Sequence, residues 1–240
     1  MKNTKLIYGI LITFFTIANL FAQAPTEAQK KAMVEAMKTR QNKVDPSTIP
    51  AKYAFTWKYN MEMTAQSGKT INFQYFLQPN ATYYGAKMNQ RGSDMLMVMD
   101  TKNKTMVTGF NQKGKKMAMV SKIPDYKDQK TKQEKYTFKK LPNKVILGYN
   151  CKGIQATSTS SSMVFYYTTE AKVSFAELFK SQQNQGIPNV FNEVFKAGEK
   201  PLLLSMDYTH LKDKSKSVKM QCTALNKEAF TFNKSDYQFM

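Results

Sequence analysis

From Tyr53 onward apolar and polar side chains alternate: Tyr53, Phe55, Trp57, Tyr59, Met61 and Met63 are interleaved with mostly polar residues, among them Thr56, Lys58, Asn60 and Glu62. Successive side chains of extended backbone point to opposite sides, so this spacing predicts one half-buried strand with a single apolar face. Ser67-Gly68 supplies a turn, and Ile71, Phe73, Tyr75 and Leu77 carry the alternation through a second strand that stops at Pro79-Asn80. The pair reads as a hairpin. Further strands are predicted over 81–88, 95–99, 105–110 and 116–120, with turns at Arg91-Gly92, 101–104 and Lys113-Gly114, which makes an antiparallel meander. The lysine-rich stretch 122–144 holds few apolar residues and reads mostly as an exposed, mobile crossing. Strands resume over 144–157 and 163–168 around a serine-rich loop, and again over 202–211, 217–225 and 229–240.

Elsewhere the spacing becomes helical. Ser174 and Glu177 form a capping box around Phe175, ahead of Leu178 and Phe179, and Pro188 opens a stretch carrying Val190, Phe191, Val194 and Phe195 before Gly198. Near the start, Thr26 and Gln29 precede Ala28, Ala32, Met33, Ala36 and Met37, which predicts a short amphipathic helix followed by a linker at Pro46 and Pro50. Together these elements predict a mainly β fold: a curved antiparallel sheet or half-open barrel with short helices packed on one face.

The first 24 residues change the picture by setting the compartment. Lys2 and Lys5 precede an uncharged apolar run, Leu6 to Phe21, that ends at Ala22-Gln23-Ala24. This is the layout of a cleaved signal peptide, and the run falls short of the roughly 20 apolar residues a membrane span needs. No cysteine follows it, so lipidation at that point is excluded. The expected organisation is a signal peptide at 1–24, the helix and linker at 25–50, and a single β-rich domain over 51–240, in the periplasm or secreted.

Charge narrows the partners. The chain carries 36 basic and 17 acidic residues for a formal charge of +19, and only two of the basic residues lie in the leader. Such a field favours anionic partners, and export together with scattered lysines argues for an anionic membrane surface and against nucleic acid. The same lysines also fit a plain solvated outer face. The oligomeric state is not legible. Cys151 and Cys222 are the only cysteines, and an oxidising compartment permits a disulfide between them as readily as two small buried thiols.

Catalytic chemistry is hard to place. The single histidine, His210, has no partnering serine elbow, acids are sparse, and neither a phosphate-cradling glycine loop nor zinc-ligand spacing occurs. A non-enzymatic role with no cofactor is therefore expected. Methionine is the unusual component, with nine of sixteen between Met61 and Met119, several at alternate strand positions such as Met95, Met97 and Met99. Three uses stay open: filling the core of the sheet, lining an adaptable apolar pocket, or holding Cu(I) with soft thioether ligands.

Several segments carry a family likeness: Tyr83-Tyr84-Gly85, the methionine-rich strand ending at Asp100, the run Leu141-Pro142-Asn143-Lys144-Val145-Ile146-Leu147-Gly148-Tyr149-Asn150-Cys151, and Val164-Phe165-Tyr166-Tyr167. With them the chain resembles the exported domain of unknown function 4412, departing from the pattern at Asn143, where glycine often follows the proline. The resemblance implies an architecture similar to the lipoprotein-localisation carriers and receptors, with a lipid or lipoprotein ligand, and transfers no active residues. The expected binding surface comprises Phe55, Trp57, Tyr59, Met61, Phe73, Tyr75, Met95, Met97 and Met99, covered by Phe191 and Phe195. The competing expectation is an interaction module with a filled core.

Overall fold

In the computed structural model, the described residues are 43–90, 93–112, 114–123, 135–176, 190–196 and 198–240. The leader, the amphipathic helix expected within 25–42 and residues 177–189 of the capping-box segment lie outside them. Alternation becomes a meander of six strands: β2 (Trp57–Ala65), β3 (Thr70–Leu77), β4 (Tyr83–Gln90), β5 (Ser93–Asp100), β6 (Thr105–Gln112) and β7 (Lys115–Lys122). A second run holds β8 (Thr137–Ile146), β9 (Tyr149–Thr157), β10 (Ser161–Thr168), β11 (Leu202–His210) and β12 (Val218–Asn226), with a short helix α1 (Val190–Val194) between β10 and β11. The two runs join through antiparallel pairing of β2 with β12, Val218 opposite Ala65 and Met220 opposite Met63. One twelve-stranded sheet results, ordered β14-β7-β6-β5-β4-β3-β2-β12-β11-β10-β9-β8, where β14 (Gln238–Phe239) lies parallel to β7 and all other pairs are antiparallel. Its end strands, β14 and β8, do not pair, so the sheet is open and not a closed barrel.

Both sides of the sheet carry apolar clusters, the second only over β3–β7. On the first side the register aligns residues into rows that cross many strands: Ile154, Phe165, Met206, Met220, Met63 and Ile71 form one, and Tyr59, Tyr75, Ala86, Met97, Thr108 and Met119 another. Phe175 closes edge-on over Tyr59 and Tyr75, with centroids 4.6 and 5.2 Å away, and α1 lays Phe191 against Phe165 at 5.3 Å. Ser174 serves this segment as expected of a cap, its Oγ accepting from the Ala176 N–H at 2.9 Å.

The second side is covered over β3–β7 by a separate two-stranded ribbon, β1 (Lys52–Phe55) with β13 (Phe230–Asn233). Here Tyr53, Phe55 and Phe232 pack with Phe76, Leu96, Val98, Val107 and Val120. Tyr53 also donates from its hydroxyl to the buried Asp100 carboxylate at 3.0 Å, and Asp100 caps its own turn by accepting from the Asn103 N–H at 3.0 Å. Burial first, and the Asp100 charge second, push the Tyr53 phenol above its ordinary range.

Three expectations need correction. The single strand expected from Tyr53 to Met63 is two, because the backbone passes from the ribbon into the sheet at Thr56, whose N–H donates to the Leu77 carbonyl. The mobile crossing over 122–144 contains β8 from Thr137 onward, and the strand read over 144–157 is the end of β8, a turn at Leu147-Gly148 and β9. The terminal strand read over 229–240 is β13, a 3-10 turn at Lys234–Asp236, and β14. Within the linker read at 25–50, Pro46–Thr48 forms a 3-10 turn capped by Asp45, whose Oδ1 accepts from the Ser47 N–H at 2.7 Å.

Gly153 shows how β8 is held. A Cβ there would sit 2.6 Å from Tyr166 Cε1 and 2.9 Å from Leu141 Cβ, so the tyrosine ring lies flush on bare backbone beside the outermost strand. Gly153→Ala is expected to cost about 1–3 kcal/mol through overpacking. Hydrogen exchange should show protection lost first in β8, and unchanged protection would contradict this packing.

Candidate functional site

The methionines concentrate on the first side, toward the β7 end. Register places Met61, Phe73, Met88, Met95, Phe110 and Met117 opposite one another across β2 to β7, and sets Met99 opposite Met106. Alternation along β5 keeps Met95, Met97 and Met99 on this side, while Leu96 and Val98 join the second cluster. Burial then divides the surface in two. Around β2, β3 and β10, Tyr59, Met61, Phe73, Tyr75 and Phe165 are fully buried beneath Phe175 and α1. Toward β5–β7, Met95, Met97, Phe110 and Met117 are only half-buried.

The expected site residues therefore separate. Tyr59, Met61, Phe73, Tyr75, Met99, Phe191, Trp57, Met97 and Phe195 share one apolar cluster, the last three partly exposed. Phe55 does not belong with them. It sits in the ribbon on the opposite side of the sheet, stacked 6.0 Å from Phe230. Met95 continues the row without being enclosed. Phe110 and Met117 were missed, although their own alternation, Phe110 with Thr108 and Met117 with Met119, would have placed them beside Met95 once the meander was registered.

The Tyr59 hydroxyl of the closed half is satisfied internally. Tyr59 donates its hydroxyl to the Leu203 carbonyl at 2.5 Å across β12, and burial drives its phenol well above the ordinary range, as it does that of Tyr75. Cys151 and Cys222 are buried and free, so the disulfide is not formed. They stand on β9 and β12, with β10 and β11 between them in the sheet. Burial pushes the Cys222 thiol up to about 12, with Cys151 adding to the shift, and raises Cys151 as well. A thiol so displaced is a poor nucleophile. His210 Nδ1 accepts the Asp213 N–H at 2.9 Å and so serves the β11–β12 turn. Among the described residues no group of three or more His, Cys, Asp or Glu is placed to hold a metal ion.

These features define an open antiparallel sheet whose first side is apolar, closed at one half and half-open at the other. Residues 55–231 match the model of the family described as Domain of unknown function (DUF4412), and the chain belongs to that family. No curated protein matches it in sequence. Among solved structures it is similar to PNGF-II, at 13% identity and a TM-score of 0.41, with 77% of this chain and 30% of PNGF-II covered. It is also similar to a putative outer membrane lipoprotein-sorting protein domain from Vibrio parahaemolyticus, at 10% identity and a TM-score of 0.20 over 81% of this chain and 90% of that one. A LolA superfamily protein from Nitrosomonas europaea matches at 8% identity and a TM-score of 0.27, over 82% and 92%. The chain spans less than a third of the length of PNGF-II.

Proposed function

We propose that this chain is an exported, non-catalytic binding protein of the cell envelope that takes an apolar, lipid-like ligand on the half-open part of its first sheet side. The observation that carries this reading is the patch Met95, Met97, Phe110 and Met117, half-exposed on adjacent strands and continuous with a fully buried floor of rings and thioethers. Unbranched thioethers re-pack around irregular chains, which suits a ligand class more than a single molecule. The sequence features of the leader support export, and the high positive charge supports work beside anionic lipid.

The test uses a fluorescent fatty acyl probe with the purified protein and with Met97→Asp. Saturable binding is expected, weakened at least tenfold by the carboxylate, since a charge in an apolar contact surface carries a desolvation cost above about 1.4 kcal/mol. Absence of saturable binding, or equal affinity in the variant, would remove the reading. Co-purified lipid detected by mass spectrometry would identify the ligand class.

A further inference from the structure

The β8–β9 hairpin breaks two rules at once. Its two-residue turn holds Leu147 at φ +51° and Gly148 at φ +80°. Both signs are those of a type I′ turn, for which Asn-Gly is the favoured pair and a bulky side chain at the first position is strained. Leu147 is also 47% exposed, and its neighbour Val145 is 69% exposed. The residue therefore pays a conformational cost without burial in return. A strained position that the fold does not reward points to a use outside the fold.

The surroundings say what that use is. Residues 135–157 contain Lys135, Lys139, Lys140, Lys144 and Lys152 and no acidic residue. All five lysines are exposed, Lys152 in an ion pair with Glu199 at 3.5 Å, and beside the turn Glu170 accepts from the Asn150 N–H at 3.1 Å, which leaves the charge unbalanced along β8. The hairpin is the outermost of the sheet at that end, and β8 presents a bare edge. An added protein strand is the less suitable occupant, because Pro142 and the irregular register between Leu141 and Lys144 interrupt the edge ladder. Exposed apolar residues at the hairpin tip, with Lys144 close by and Lys139 and Lys140 further along the same outer strand, instead match the chemistry of a lipid interface: hydrocarbon for Val145 and Leu147, phosphate for the lysines. Lys144 is already steadied over the Tyr166 ring, 4.4 Å from its centroid, which keeps one of these charges on the hairpin.

We infer that the β8–β9 hairpin is a membrane-docking element that inserts Val145 and Leu147 into the surface of a bilayer rich in anionic lipid. This does not depend on the first sheet side holding a ligand. Either can fail alone, because vesicle docking and acyl-probe uptake are separate readouts.

The experiment places an environment-sensitive fluorophore on Leu147→Cys in the full chain, the native thiols being buried, and on Leu211→Cys as an exposed leucine elsewhere. With vesicles of phosphatidylcholine and phosphatidylglycerol in equal parts, the label at 147 is expected to brighten severalfold and to be quenched by brominated acyl chains. The label at 211 should change little, and vesicles of phosphatidylcholine alone should have no effect on either. In parallel, Leu147→Asn is expected to leave the thermal midpoint unchanged or raised, since asparagine tolerates the left-handed conformation. A silent label at 147, whether or not the protein binds the vesicles, would overturn the inference. So would a marked loss of stability in Leu147→Asn, because the leucine would then be explained by the fold. Capture of an extended peptide on β8 with no response to vesicles would assign the edge to a protein partner instead.

Discussion

Raising the pH from 8 toward 12 is expected to unfold this protein through groups that the fold keeps protonated. Tyr59, Tyr75 and Cys222 all have their deprotonated forms disfavoured by burial, and the thiol is pushed from an ordinary 9.0 up to about 12. In the unfolded chain the thiol loses its proton near pH 9 and the phenols near pH 10, while the folded chain still holds them. The unfolded state therefore binds fewer protons above pH 9, and stability falls as pH rises. The contribution is fully present below pH 9, and for Cys222 alone the loss between pH 9 and pH 12 is on the order of 4 kcal/mol. Denaturant midpoints against pH should be level to about pH 8.5 and fall steeply beyond it. Cys222→Ala should flatten part of that slope, and a profile unchanged in this variant would show that the thiol is not held as described. A stability gain on alkalinisation would contradict the whole scheme.

Phe165→Ala is expected to be the most damaging single truncation. Phe165 is fully buried, lies in register between Ile154 and Met206, and has Phe191 and Phe195 edge-on at 5.3 and 6.4 Å. Removing the ring takes away the surface on which α1 rests, and a large-to-small change at such a site costs about 3–5 kcal/mol. Val145→Ala, at an exposed position, should stay within about 0.5 kcal/mol. Chemical denaturation of both variants checks the ranking. Equal losses would mean that α1 does not depend on Phe165.

Local periodicity was the readable part of this chain. The strands of the β2–β7 meander, the turns at Ser67-Gly68 and at Gly114, and the α1 stretch before Gly198 follow from residue spacing over ten or so positions. Phe55 was misplaced because a step from one layer to another at Thr56 leaves the alternation intact, and nothing in a period of two records which sheet a strand has joined. Strand β8 was overlooked for the opposite reason. As an outermost strand it is exposed on most positions, Phe138 included, so lysines occupy both of its sides and the periodic signal vanishes. The candidate patch was half legible. Met95, Met97 and Met99 declare a shared side, but Phe110 and Met117 join them only through cross-strand register, which is a property of the folded sheet.

The pairing of β2 with β12 makes the centre of this sheet also its most sequence-distant contact, Ala65 meeting Val218 and Lys58 meeting Asn226. A chain emerging from its N-terminus can assemble the first meander early, yet β2 keeps a raw flank until residues beyond 218 arrive. Entropy of closing so large a loop makes folding slow and of high contact order. Any fragment ending before β12 would expose an adhesive strand in the middle of what should become the sheet, and so would be prone to self-association.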